Sequence, residues 1–311
     1  LDEEKVSWVP SGSFNRYPPM VAGLIGAPFT IFTPWHAYLI WLILIDLLIL
    51  GVVIIILRRL RFSMISFLVV LPWLVSAPIS REFRFGQINV LIAAGTLAAF
   101  LLARSKWFKS SGLALATITG IKLIPVLFLP YFWKTGARKY AIIALVVLGL
   151  ISLSYFAFFP GDFALFMGWV INAEGANGVG LQTLLTEQMG VAWLAKLVGI
   201  VFVFMALWRT WKTREASGSL LALWISVYFL IYNRIWIHHF SLFYLGIALV
   251  LMDGKKRLWN GALLLIPLAL ATLPNAVASS DLLSQILHSI ASLWLFGVCF
   301  RELRDDQRTV S

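Results

Sequence analysis

Long apolar runs separated by short polar or basic stretches make up most of the chain. A membrane-crossing helix needs about 20 apolar residues. Runs close to that length predict spans at 36–57, 62–80, 87–103, 140–159, 191–208, 216–235, 238–252, 258–276 and 283–300. The 110–133 region is equally apolar but carries Lys122 and Pro125 at its centre. Between the runs lie six basic clusters: Arg58/Arg59/Arg61, Arg104/Lys106/Lys109, Lys134/Arg138/Lys139, Arg209/Lys212/Arg214, Lys255/Lys256/Arg257 and Arg301/Arg304/Arg308. They hold 18 of the 25 Lys and Arg, and basic loops favour the cytoplasmic side. All six share that side only if 110–133 enters and returns as two half-helices. Pro125 supports the break, because it removes a backbone donor and strains the preceding turn. Irregular backbone at membrane depth is tolerated inside protein or beside a water-filled cavity. The expected fold is an all-α polytopic membrane protein, with about nine full spans plus one broken half-helix hairpin at 110–133. No internal repeat, linker or low-complexity segment divides it, so 1–311 reads as a single membrane domain.

Composition agrees with that map. The chain is 60% hydrophobic and 13% charged, with a mean hydropathy of +0.89, more apolar surface than a soluble domain of 311 residues hides. The net charge of +11 belongs to the cytoplasmic loops. No basic-aromatic motif or Gly-rich phosphate loop points to nucleic acid. The single Cys299 excludes an internal disulfide framework and a Cys-based metal cluster, and reads as a small apolar helix residue. The polar, Pro-rich start is not a signal peptide, since no apolar stretch follows a basic start. The chain opens at Leu1 and is expected to lack an N-terminal segment.

The segments left outside are 1–20, 80–87, 160–190, 234–239 and 274–282, with 20–33 expected as a short helix at the outer interface between Pro28 and Pro34. Arg81, Arg84 and Arg234 lie on this side against the charge bias. They suit an anionic group near the outer leaflet, because guanidinium matches phosphate with a fixed fork of donors; contact with lipid headgroups is the plainer alternative. Glu82 stands between the first two arginines, and Asp162, Glu174, Asn177, Gln182 and Glu187 lie in the 160–190 loop. Gly86 allows close approach, while Gln87 and Asn89 put amides just inside the boundary, where each needs a partner. Lys122, at the hairpin break, calls for a cavity rather than lipid. Asp46 sits within the first span and is expected to be packed, paired or protonated, without a role.

His238 and His239 open a late span in "NRIWIHHFSLFY". Adjacent helical positions diverge by about 100°, so the pair is a poor chelate and no metal is expected. An imidazole that titrates near neutrality suits a general base or a substrate hydrogen-bonder, or it only wets its ring at the interface.

Taken in order, "NRYPPM", "FRFGQINVLIAAG", "GLALATITGIKLIPVLFLPYFW" and "IWIHHFSLFYLGIALVL" resemble glycosyltransferase family 87 across roughly residues 14–255. Members are polyprenyl-phosphate-mannose-dependent mannosyltransferases of the GT-C superfold. The resemblance implies an inverting hexosyltransferase in a bacterial plasma membrane, with its site on the non-cytoplasmic face. A polyprenyl-phosphate sugar would be the donor, a glycolipid or envelope glycan the acceptor, and no cofactor is implied. Carried over by position, His238 and His239 lie at the catalytic centre. Gln87 and Asn89 match the family's GQxN, Lys122 and Pro125 its Lys-Pro segment, and Tyr17, Pro18 and Pro19 the end of its first loop. The family's early Asp has no clear counterpart and is expected upstream of Leu1. Of its Asn-Gln-Ser run only Asn177 is kept. The reading from a different class is a lipid or solute transporter with a broken-helix site at Lys122, though such transporters carry duplicated halves. A structural partner in an envelope complex is a third.

Overall fold

A computed structural model describes residues 26–161, 163–164, 178–233, 235–253, 257–272 and 282–308. The elements there are helices, and the protein is an all-α polytopic membrane protein. In chain order they are α1 (Pro34–Arg59), α2 (Met64–Val75), α3 (Ala77–Phe85), α4 (Asn89–Arg104), α5 (Phe108–Ile121), a 3₁₀ turn (Ile124–Phe128), α6 (Leu129–Trp133), α7 (Arg138–Phe158), α8 (Ala192–Lys212), α9 (Gly218–Ile231), α10 (Phe240–Asp253), α11 (Arg257–Thr272) and α12 (Leu282–Arg308).

Five of the described stretches are long and apolar enough to cross a membrane: Pro34–Arg59, Met64–Arg84, Arg138–Phe158, Ala192–Lys212 and Leu282–Leu303. Several of them carry the lipid-facing surface. In α1 the inward stripe is Ile45, Ile49, Val52, Val53 and Ile56, while Ile43, Leu47, Leu50 and Ile54 are exposed. That spacing is one apolar face turned to protein and another to lipid. Asp46 stands on the exposed side, not packed as expected. In α7 only Ala141 is buried.

The shorter helices form the centre. α9 is buried from Gly218 to Leu230 and α10 from Phe240 to Leu251, and they pack on each other. α9 also packs on α12, and α4 on α5. A helix that is apolar all round has nowhere else to go. With 14 residues in α5, α9 and α10 and 16 in α4, each is roughly 21–24 Å long at 1.5 Å per residue. That falls short of a hydrocarbon core of about 30 Å, so their ends lie inside protein rather than against lipid.

The hairpin at 110–133 is present. α5 stops at Ile121, Lys122 is extended (φ −148°, ψ 130°), and the chain resumes in the 3₁₀ turn that contains Pro125. The missing N–H of Pro125 and the clash of its ring one turn back end α5 where they should. The two limbs come back to one end, because a Cβ on Gly136 would sit 2.6 Å from the Phe108 ring at the start of α5. Arg104, Lys106, Lys212 and Arg214 line a cavity at that same end. Residues of two basic clusters thus meet there, at the ends of α4 and α8, while Asn89 stands at the other end of α4.

The 62–80 run is not one smooth helix. Ser76 is extended, ending α2 and leading into α3, whose first turn holds Pro78. Of the expected interfacial helix at 20–33, residues 27–29 form one helical turn, and Pro34 instead begins α1 under the side-chain cap of Thr33; 20–25 lie outside the described residues. Cys299 is buried, as its reading required.

The end-to-end segregation gives a direct topology test. Cysteine introduced at Lys134 or Arg214 in intact cells should resist an impermeant thiol reagent and label after permeabilisation. Buried Cys299 adds little background. Labelling of intact cells would reverse the orientation.

Candidate active site

The segment "REFRFGQINV" builds the first wall. α3 ends at Gly86, whose φ of +57° is the left-handed conformation that favours glycine. The Gln87 N–H donates to the Glu82 carbonyl at 3.0 Å and the Gly86 N–H to that of Phe83 at 3.4 Å, a Schellman closure. Gly86 therefore serves the turn; a Cβ there would only touch the Trp41 ring at 4.0 Å. The reversal starts α4 at Asn89 and folds Glu82 over it. The Asn89 N–H donates to Glu82 Oε2 at 3.2 Å. A carboxylate at a helix N-terminus meets both an orphan N–H and the positive end of the dipole.

Lys122 supplies the second wall. It lies at the C-terminal end of α5, where a cation suits the dipole. Its Nζ donates to Asn89 Oδ1 at 2.5 Å and lies 3.0 Å from His239 Nε2. His239 Nδ1 lies 2.7 Å from the Tyr228 hydroxyl of α9. An ammonium only donates, so Nε2 accepts; Nδ1 then carries the proton and donates to Tyr228. Five elements are thereby tied into one polar string: Glu82, Asn89, Lys122, His239, Tyr228. Lys122 has three N–H donors, and these contacts use two.

The two histidines diverge as adjacent positions should. They share a 3₁₀ turn closed by the His239 N–H on the Trp236 carbonyl (2.9 Å), and their rings stand at 84° to each other, 4.9 Å apart. His239 turns inward to the string. His238 lies against Trp236, with ring centroids 5.5 Å apart, and is 8% exposed. Its Nε2 is buried and has no hydrogen-bond partner among the described atoms. Arg81 and Lys122 both lie within electrostatic reach of this ring, and α3 packs on its turn. Glu82 Oε1 and Asn89 Nδ2 are likewise buried without partners among the described atoms. Such groups cost about 1–3 kcal/mol each if left so, and a polar ligand is one way to satisfy them.

The structure thus brings together Arg81, Asn89, Lys122, His238 and His239 from the expected set. Gln87 is half-buried beside them, and Arg84 is exposed on α3. Tyr17, Asn177 and Arg234 lie outside the described residues. Gln182 belongs elsewhere: its Nε2 donates to the carbonyls of Ala195 (2.9 Å) and Leu230 (2.8 Å), tying α8 to α9. Sequence reading assigned no role to Glu82 or Tyr228. A lone acid between two arginines was the signal for Glu82; a tyrosine in an apolar span gives almost none. Among the described residues no three His, Cys, Asp or Glu converge on a metal position.

Comparison with known proteins gives the family of the chain. Two curated relatives are both named polyprenol-phosphate-mannose-dependent alpha-(1-2)-phosphatidylinositol mannoside mannosyltransferase. The one from Mycobacterium tuberculosis is 27% identical over 254 residues, covering 76% of this chain and 58% of the relative. The one from Mycolicibacterium smegmatis is 27% identical over 242 residues, covering 70% and 53%. The chain thus spans a little over half the length of these relatives. No solved structure matches it. The profile of glycosyltransferase family 87 matches residues 15–233, well over half of the sequence, and the chain belongs to that family.

Proposed function

We propose that the protein transfers a hexose, mannose, from a polyprenyl-phosphate donor to a lipid-linked or cell-envelope acceptor at the outer face of a bacterial plasma membrane. The observation that carries this reading is the buried Nε2 of His238, without a partner among the described atoms, beside the cations Lys122 and Arg81. An acceptor hydroxyl needs a group to take its proton, and a lipid phosphate leaving group needs cations. Family membership and the names of the two relatives supply the chemistry that fits both demands. The GT-C architecture and the absence of a cofactor belong to the same reading.

In the proposed reaction the acceptor oxygen loses its proton as it attacks the anomeric carbon. The bond from that carbon to the phosphate oxygen breaks, and polyprenyl phosphate departs. The anomeric configuration inverts, because attack and departure occur on opposite faces. The acceptor proton passes to His238 Nε2, which sits at the acceptor hydroxyl. Arg81 and the third N–H of Lys122 meet the phosphate charge as it grows. Lys122 is held for this by Asn89 and His239, so those two position it. The orientation rests on the basic clusters at the opposite end of the bundle.

The test is sugar transfer in membranes carrying the protein, supplied with polyprenyl-phosphate-mannose and a phosphatidylinositol mannoside acceptor. Mannosylated acceptor of inverted configuration and stoichiometric polyprenyl phosphate are expected. Transfer only from a different polyprenyl-phosphate hexose would change the sugar. Movement of intact donor across the bilayer without transfer would favour the transporter.

A further inference from the structure

A polar cavity lies at the opposite ends of α4, α9 and α10 from the candidate site, and the sugar-transfer reading leaves it unused. It has a volume of about 890 Å³ and is bounded by the ends of α4, α8, α9 and α10 and by the return of the hairpin. That is within the range of cavities that enclose small-molecule ligands, about 300–1,000 Å³. Arg104, Lys106, Lys212 and Arg214 line it, against the carboxylates of Asp253 and Glu215. Asp253 is already engaged: it pairs with Arg104 and accepts the N–H of Gly218 at the start of α9. Among the described residues the lining thus carries four cations against two acids. Tyr131 also lines the cavity and is fully buried, with its hydroxyl in electrostatic reach of Arg104 and Asp253. That hydroxyl has no hydrogen-bond partner among the described atoms. A buried hydroxyl in a cationic recess is a donor waiting for an anion.

The surroundings identify the source of that anion. Trp107, Trp133 and Trp211 are all exposed, and each is adjacent in sequence to Lys106, Lys134 or Lys212. Exposed tryptophans beside lysines mark the level of lipid headgroups. The mouth therefore sits where a phosphodiester headgroup resides rather than deep in the aqueous phase.

We propose that this cavity binds the phosphate headgroup of an anionic lipid from the inner leaflet, clamping the hairpin return to α4 and the α8–α9 corner. The site is independent of the sugar-transfer reading, and binding rather than activity tests it. The protein, purified in zwitterionic detergent, is offered phosphatidylglycerol or phosphatidylcholine, and retained lipid is counted by native mass spectrometry. Wild type should prefer phosphatidylglycerol. The K106A/K212A/R214A variant should lose that preference by more than ten-fold, since each surface cation is worth about five-fold in headgroup attraction. R58A/R59A, a basic pair remote in sequence from the cavity lining, should stay within about two-fold of wild type. Should the triple variant fold poorly, Tyr131→Phe decides: it keeps the ring and should lower retention about two- to ten-fold through the lost hydrogen bond. Equal losses in the triple variant and R58A/R59A would make this a diffuse basic surface and overturn the site. No preference in wild type, or undiminished retention in both the triple variant and Tyr131→Phe, would also overturn it. Full displacement of the lipid by millimolar inorganic phosphate would reassign the cavity to a soluble phosphate ligand.

Discussion

Replacing Lys122 with methionine should destabilise the protein by about 3–5 kcal/mol and abolish transfer. The stability loss follows from what the ammonium holds. Its removal leaves Asn89 Oδ1 and His239 Nε2 without their donor and leaves the Glu82 carboxyl without a nearby cation. Removing one member of a buried charge pair costs about that much, because the other stays desolvated and uncompensated. The pair is bridged rather than direct: Asn89 donates its N–H to Glu82 and accepts from Lys122. The companion variant Glu82→Gln should be milder, and the double variant should be more stable than Lys122→Met alone. Coupling between neighbours of this kind runs to about 0.5–3 kcal/mol. Thermal unfolding in detergent measures stability, and sugar transfer measures function. The double variant should recover stability without recovering transfer, since no cation faces the donor phosphate. Additive effects of the two substitutions on unfolding would show that Glu82 and Lys122 do not act together.

This coupling marks where sequence reading stops. Charge distribution favoured the hairpin at 110–133, and Pro125 supported a break near Lys122. The structure places that break at Lys122 and turns the ammonium into protein. Lipid-facing and buried helices were foreshadowed by apolar runs, yet the corner at Ser76 was not. Hydropathy runs on past Ser76 because Ala77, Pro78 and Ile79 continue the apolar stretch before Arg81, Glu82 and Arg84 begin. Asn89 and Lys122 were each legible as polar groups that need a partner. That they are partners of each other was not, because a separation of 33 residues carries no distance until α4 and α5 pack. Gln182 shows the converse: an outer-loop amide that read as possible chemistry is occupied by two backbone carbonyls. Gly86 was read as allowing close approach of backbone or ligand, and its positive φ shows that the turn requires it.

His238 and His239 should part company when each is substituted, and the hydrogen bonds say how. Both ring nitrogens of His239 are engaged, one by Lys122 and one by Tyr228. His239→Phe keeps the ring volume but strands both partners, each at about 1–3 kcal/mol. Its main effect should be on unfolding, with transfer falling as Lys122 loses its position. His238 is different, since its Nε2 has no partner to strand among the described atoms. His238→Gln keeps a polar side chain of similar reach against Trp236 but has no ring nitrogen to accept a proton. It should fold with an unfolding temperature near wild type and lose about 10²–10⁴-fold in transfer rate at saturating donor, the usual contribution of positioned acid–base catalysis. The split between rate and stability matters more than either loss alone. A purely structural His238 would lower the unfolding temperature and leave the rate per folded molecule intact. Near-wild-type rates in His238→Gln, measured in membranes where wild type transfers mannose, would move the reacting centre away from this imidazole while leaving the mannosyltransferase reading standing.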